Sequence, residues 1–427
     1  MLSLTEQKAI KKLMEQEIVP AMGCTEPIAV ALGVAKAVEL LEHRPEKIDV
    51  FLSPNVTKNA MGVGIPGTKM IGLPIAIALG ALIGKSEYEL EVLRDFDTAD
   101  LDDAKQYIAE NRIQIEVKED VPHNLYIEID VYAEGTKVKT VISGTHTFFS
   151  YIEKDGVVLH TDVYEEVDAN NLLVTLNLKK VYDFAHETPI EELSFIYTAA
   201  TMNKEVANEA KNDNYGHNVS KVLTGERGVS AFGTTPHSKM LIATSAACDV
   251  RMDGAKLAVM SNSGSGNQGI AATLPVLSYG EEIGASKESL IRALVLSSLS
   301  VIYIKQSLGR LSALCGCVVA STGSSCGITY LMGGTYEQVT FATKNMIANI
   351  TGMICDGAKP SCSLKISSGV STALLSAVMA MENEVVSEQE GIVDKDVDQT
   401  IKNMAIIGRD GMRETDKVVL DIMTNKD

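Results

Sequence analysis

The chain has 427 residues, of which 45% are hydrophobic and 22% charged, and its net charge is −18. That length exceeds one ordinary core and suits two domains, or one large helical domain carrying an insertion. The composition is globular and free of low-complexity tracts, and an acidic surface without a basic stripe argues against nucleic acid and anionic membranes as partners.

Apolar residues at helical spacing predict a first helix over Thr5–Gln16, closing near Pro20. Ala21-Met-Gly-Cys-Thr-Glu-Pro27 reads as a turn with Thr25 as N-cap, feeding a second helix over Ile28–Leu41. Lys47–Ser53 alternates like a strand, Asn55–Met61 reads as helix, and glycines then gather at Gly62, Gly64 and Gly67. The longest apolar run, Met70–Gly84, is interrupted by Pro74 and Gly80 and is too short to span a bilayer, so it predicts a buried helix. Thr98–Asn111 is a further helix.

Period-two alternation marks strands at Ile113–Lys118, Leu125–Ala133, Lys137–Ser143, Thr147–Glu153 and Val157–Thr161, with Gly135 and Gly156 where hairpin turns are needed. From about Ile190 strand signals vanish, and apolar helical runs alternate with Gly/Ser-rich joints. The expected fold class is therefore α+β: a large all-α domain of residues 1–45 and 185–427, with an inserted α+β domain of residues 46–184 containing an antiparallel sheet.

The N-terminus has no apolar core behind a basic start, which predicts a cytoplasmic protein whose thiols stay reduced. The seven cysteines, Cys24, Cys248, Cys315, Cys317, Cys326, Cys355 and Cys362, are then either inert buried thiols or functional thiolates.

Two nucleotide-like patterns fail on context. Gly62-Val-Gly64-Ile-Pro-Gly67 matches G-x-G-x-x-G but lacks the strand directly before it and carries Pro66 inside it, and Gly67-Thr-Lys69 reverses the order of a P-loop. The loop Ser261-Asn-Ser-Gly-Ser-Gly-Asn-Gln-Gly269 opens a helix and exposes free N–H groups at its positive end. That suits a carboxylate or phosphate, and a plain turn between buried helices is equally consistent.

Cys315-Gly-Cys317 and the pair Cys355 and Cys362, which flank a loop with Gly357 and Pro360, present soft sulfur ligands. Tight C-x₂₋₄-C pairs or neighbouring histidines, the marks of zinc, are missing from this part of the sequence. A cluster is the better metal reading, although spacing alone leaves small buried hydrophobes open, and that reading is kept for Cys248 and Cys326. Cys24 precedes a helix start, where the dipole favours thiolate, so it is a candidate base, nucleophile or ligand.

Together, Gly23-Cys-Thr-Glu-Pro27, Asn59-Ala-Met-Gly-Val-Gly-Ile-Pro-Gly67, Ser263-Gly-Ser-Gly-Asn267, Leu311-Ser-Ala-Leu-Cys-Gly-Cys317 and Gly352-Met-Ile-Cys-Asp-Gly-Ala-Lys-Pro-Ser-Cys362 resemble the L-cysteine desulfidase family in its bacterial branch. The similarity is nearly full-length and collinear. More distantly the helical part resembles the α domain of iron–sulfur L-serine dehydratase, and the α+β part resembles that enzyme's smaller domain.

The resemblance implies a 4Fe-4S cluster on three cysteines and a separate N-terminal cysteine that takes the substrate's α-proton. Cys24 matches that cysteine, Cys355 and Cys362 match two ligands, and Cys315, with Cys317 close behind, takes the third place. It implies β-elimination from L-cysteine to pyruvate, ammonia and hydrogen sulfide, with L-serine dehydration as the rival and a cluster-bearing sensor or inert scaffold as the non-catalytic alternative. Ser263, Gly264, Ser265 and Asn267, with Lys359 or Arg310, are the candidates for the substrate carboxylate. A small amino acid is the expected partner, and a homodimer is left open.

Overall fold

The computed structural model describes residues 2–164, 174–309 and 311–426. Arg310, one of the two cations suggested for the carboxylate, lies outside the described residues.

Six strands form one mixed sheet in the order Ile113–Val117, Lys47–Leu52, Tyr126–Ala133, Thr136–Ser143, Phe149–Lys154, Val157–Thr161. The last four are a meander of antiparallel hairpins, as the alternation predicts. The first pair is parallel, with Ile48 opposite Ile113. The chain between them runs through the helices Leu73–Ile83 and Thr98–Ala109, a crossover that a parallel pair requires. The sheet is thus not purely antiparallel.

The helix Thr25–Leu41, assigned from sequence to the helical domain, buries its apolar face elsewhere. Ile28, Val30, Leu32, Val34 and Leu41 share one core with Ile48, Val50, Ile127, Ile129, Val131 and Ile142 of the sheet and with Leu73–Ile83. With 13 of its 17 residues buried, it needs cover on most sides, and the sheet provides one flat apolar face. Only the first helix, Leu4–Glu17, joins the helical core, through Ile10, Leu13 and Met14.

The helical body is built around Gly316–Leu331, whose residues 317–329 are all buried. Small residues let its neighbours close in. A Cβ on Gly323 would lie 2.5 Å from the Ser297 carbonyl oxygen, and one on Gly327 2.8 Å from that of Ala293, so Lys287–Leu308 packs backbone to backbone. Several buried hydroxyls of this layer return to carbonyls one turn back, as in Thr322 to Val318 at 2.8 Å and Thr329 to Ser325 at 2.8 Å, whereas Ser298 Oγ and Ser321 Oγ have no partner.

Cys362–Met381 packs on Gly316–Leu331, Tyr336–Ile350 and Pro236–Met252. By length and composition it is long and apolar enough to cross a membrane, and 39% of that stretch is buried in the fold.

Of the short pairings that the sequence reading did not give, two shape the site. Pro20–Met22 pairs antiparallel with Ala258–Met260. Leu314 forms an isolated bridge with Ile354, in which Cys315 N–H donates to the Met353 carbonyl at 3.0 Å and Cys355 N–H to that of Ala313 at 2.7 Å. The first lays the Cys24 turn beside the Ser263–Asn267 loop. The second sets Cys315 beside Cys355.

Candidate active site

Four helices point their N-terminal ends at one cavity of about 120 Å³. They are Thr25–Leu41 with Cys24 as N-cap, Gly266–Glu282 with Ser265, Gly316–Leu331 with Cys315, and Cys362–Met381 with Ser361. None of the four N-caps makes a side-chain cap hydrogen bond. By contrast Thr235, Ser286 and Thr335 cap the helices Pro236–Met252, Lys287–Leu308 and Tyr336–Ile350. Free N–H groups and four converging dipoles make the cavity a place for negative charge.

The cavity wall holds Cys24, Cys315, Cys317, Cys355 and Cys362, together with Ser263, Gly264, Ser265 and Asn267. Of the residues singled out from sequence and described here, only Lys359 stands apart. Its ammonium is turned onto Asp356, at 2.6 Å from both the carbonyl and the carboxylate. Lys365, one turn into the next helix, lines the cavity instead and donates to the Ile354 carbonyl at 2.8 Å. Cys248 and Cys326 are fully buried outside the wall, as expected of packing residues.

Cys24, and not Thr25 as expected, holds the N-cap position, and it does so as a thiol and not a thiolate. It is 4% exposed, and its Sγ–H donates to Glu26 Oε2 at 3.0 Å. Burial and the adjacent Glu26 charge push the thiol well up, against a smaller pull from Arg251. Glu26 is the opposite case. Burial alone would raise it, but His146, then the Cys24 donor, hold it down at about 2. Thr25 Oγ1 and Asn59 Nδ2 donate to the same carboxylate, each at 3.1 Å. Asn59 turns its Oδ1 toward Cys355 Sγ, 3.9 Å away, and so links the Glu26 pocket to the sulfur cluster of the wall.

His146 reaches the site from the turn after Thr136–Ser143 of the sheet. Its Nε2 stands 3.8 Å from Glu26 Oε1, too far for a hydrogen bond, and has no hydrogen-bond partner. No sequence signal marks it, since it lies 122 positions from Cys24 by residue number.

Cys315 and Cys317 lie 3.3 Å apart, sulfur to sulfur. The hydrogen bond shared with Cys317 is the main reason that Cys315 is held down to about 7 despite burial. Cys317 Sγ is occupied a second time by Met353 Sδ at 3.1 Å. Burial raises Cys362 and raises Cys355 to about 11, with the Cys315 charge adding to both.

No three His, Cys, Asp or Glu side chains among the described residues come close enough to share one metal ion. A cluster differs from an ion: each thiolate binds a different iron, so the sulfurs stand apart around a volume. Three thiols on the wall of a small cavity with helix N-termini behind them fit such a group by donor type and by charge.

A profile described as the serine dehydratase alpha chain matches residues 87–421. The chain is 60% identical to a UPF0597 protein of Bacteroides thetaiotaomicron and 59% identical to one of Bacteroides fragilis, over 99% of each chain in both comparisons. It is 40% identical to a UPF0597 protein of Actinobacillus pleuropneumoniae, over 98% of both chains.

Proposed function

The chain belongs to the serine dehydratase alpha chain family, and from that premise we propose that it is an iron–sulfur-dependent lyase that eliminates sulfide from L-cysteine. The observation that carries the reading is the single small cavity on which Cys24 meets Cys315, Cys355 and Cys362. The choice of cysteine as substrate rests on the motif resemblance. The family description favours a second reading, dehydration of L-serine in the same cavity.

Cys315, Cys355 and Cys362 would hold the 4Fe-4S cluster. Cys315 is preferred to Cys317 because the Leu314–Ile354 bridge sets it beside Cys355, whereas Cys317 Sγ is engaged by Met353. When bound, the cluster supplies an iron without a protein ligand, a Lewis acid for the departing sulfur or oxygen.

The protein's own residues handle the proton. Cys24 rests as a thiol, so it accepts the α-proton only while passing its own to Glu26 Oε2, 3.0 Å away. Glu26, kept acidic by His146, then returns that proton to the leaving sulfide. The α-carbon loses H⁺ and the β-carbon loses HS⁻, leaving aminoacrylate. Its imine tautomer takes up water and yields pyruvate and ammonia.

The test is anaerobic reconstitution followed by assay with L-cysteine and L-serine side by side. Sulfide and pyruvate from cysteine are the expected result. Pyruvate from serine alone would select the dehydratase, and pyruvate from neither would refute both.

A further inference from the structure

Three buried polar atoms on the wall of this cavity have no hydrogen-bond partner: Arg251 Nε, Gln268 Oε1 and His146 Nε2. Such atoms cost stability unless something fills their need. His146 Nε2 faces Glu26 Oε1 at 3.8 Å. The other two are a donor and an acceptor with nothing opposite.

Arg251 is 4% exposed. It ends the helix Pro236–Met252, and among the described residues its one side-chain hydrogen bond runs from Nη2 to the Gly23 carbonyl at 2.8 Å. Among the described residues no Asp or Glu pairs with it. A buried guanidinium without a counter-charge is strongly disfavoured, so the fold has prepared a place for an anion that the chain itself does not supply. The guanidinium itself is seated against Gly266, where a Cβ would lie 2.3 Å from Arg251 Nε, so it packs at the start of the helix Gly266–Glu282. Gln268 is 3% exposed, two residues into the helix that Gly266 opens, with its side chain against Gly316.

We propose that Arg251 and Gln268 are the seat of an α-amino-acid zwitterion, Arg251 taking the carboxylate and Gln268 Oε1 the ammonium. The uncapped N–H groups of Gly266–Glu282 add to the carboxylate side. Because Arg251 also holds the carbonyl that precedes Cys24, a carboxylate placed there brings its own α-carbon next to the Cys24 sulfur. Arg251 takes over the role that the sequence suggested for Lys359.

This assignment rests on reading the cavity as the site of a small amino acid, and binding separates it from turnover. L-Alanine has no leaving group, L-alaninamide lacks the carboxylate, and L-lactate lacks the ammonium. Calorimetric titration of the anaerobically purified protein is expected to show L-alanine binding at least tenfold more tightly than either analogue. Arg251→Gln should weaken L-alanine about 100-fold and leave L-alaninamide unchanged, and Gln268→Leu should weaken L-alanine about tenfold and leave L-lactate unchanged. Equal affinity of the wild-type protein for all three ligands would overturn the proposal, as would no binding of L-alanine at all. Neither result needs a variant to fold. Arg251→Lys, which keeps charge but not the fork, should fall between wild type and Arg251→Gln. Carboxylate-dependent binding without elimination from cysteine or serine would leave the zwitterion seat standing and remove the lyase reading.

Discussion

Replacing Glu26 by Gln tests the electrostatic core of the site. The substitution keeps size and shape but removes the charge that Cys24, Thr25 and Asn59 donate to and that faces His146. The carboxyl is held at about 2 instead of its ordinary 4.5. At about 1.4 kcal/mol for each tenfold change in acidity, that depression is worth about 3 kcal/mol of folding stability. Because the folded-state value lies below the unfolded one, the unfolded chain binds the extra proton. The stabilisation is therefore complete above about pH 4.5 and drains away as pH falls toward 2. Urea unfolding of wild type and Glu26→Gln should differ by about 3 kcal/mol at pH 7, and the gap should narrow below pH 4.5. The same substitution removes a charge that keeps the Cys24 proton on sulfur, so Cys24 should be alkylated at lower pH in the variant, read by peptide-resolved mass spectrometry. A pH-independent stability gap, or an unchanged Cys24 profile, would refute this account.

Gly269→Ala would place a Cβ 2.0 Å from the Met260 carbonyl oxygen, a backbone atom that cannot yield. A loss of about 3 kcal/mol in thermal or urea unfolding is expected, and because Met260 pairs with Pro20, activity should fall along with stability. Lys58, 1% exposed, pairs with Asp416 and ties the helix Pro54–Ala60 to Arg413–Thr424. Lys58→Ala should cost about 3–5 kcal/mol, whereas Lys58→Met combined with Asp416→Leu should recover most of it. On the proposed ligand set, Cys355→Ser and Cys362→Ser should each lower iron bound after anaerobic reconstitution, while Cys326→Ala should not. Equal iron in all three would count against the cluster.

The sequence by itself determined the local elements. Helices such as Lys287–Leu308 and the hairpins from Tyr126 to Thr161 follow from side-chain periodicity and turn residues, which are properties of neighbouring positions. It also singled out the cysteines and the Ser263–Asn267 loop, because sulfur spacing and a Gly/Ser-rich helix start are visible without a fold. What it could not determine depends on residues far apart in the chain. The helix Thr25–Leu41 is apolar nearly all round, so its periodicity could not say which core would claim it. The three- and two-residue pairings that bring Thr25 to the Gly264 carbonyl and Cys315 to Cys355 are too short to carry a pattern.

Protonation was decided by tertiary structure as well. A helix N-terminus argues for a thiolate at Cys24, and burial together with the Glu26 charge beside it reverses that sign. Lys359 and Lys365 look alike in sequence and both pair with Asp356, but the fold brings only Lys365 to the cavity wall. Arg251 is one arginine at the end of an apolar helix until the structure shows it buried without an acid to meet it, since a missing partner is a property of three-dimensional surroundings and has no signature along the chain.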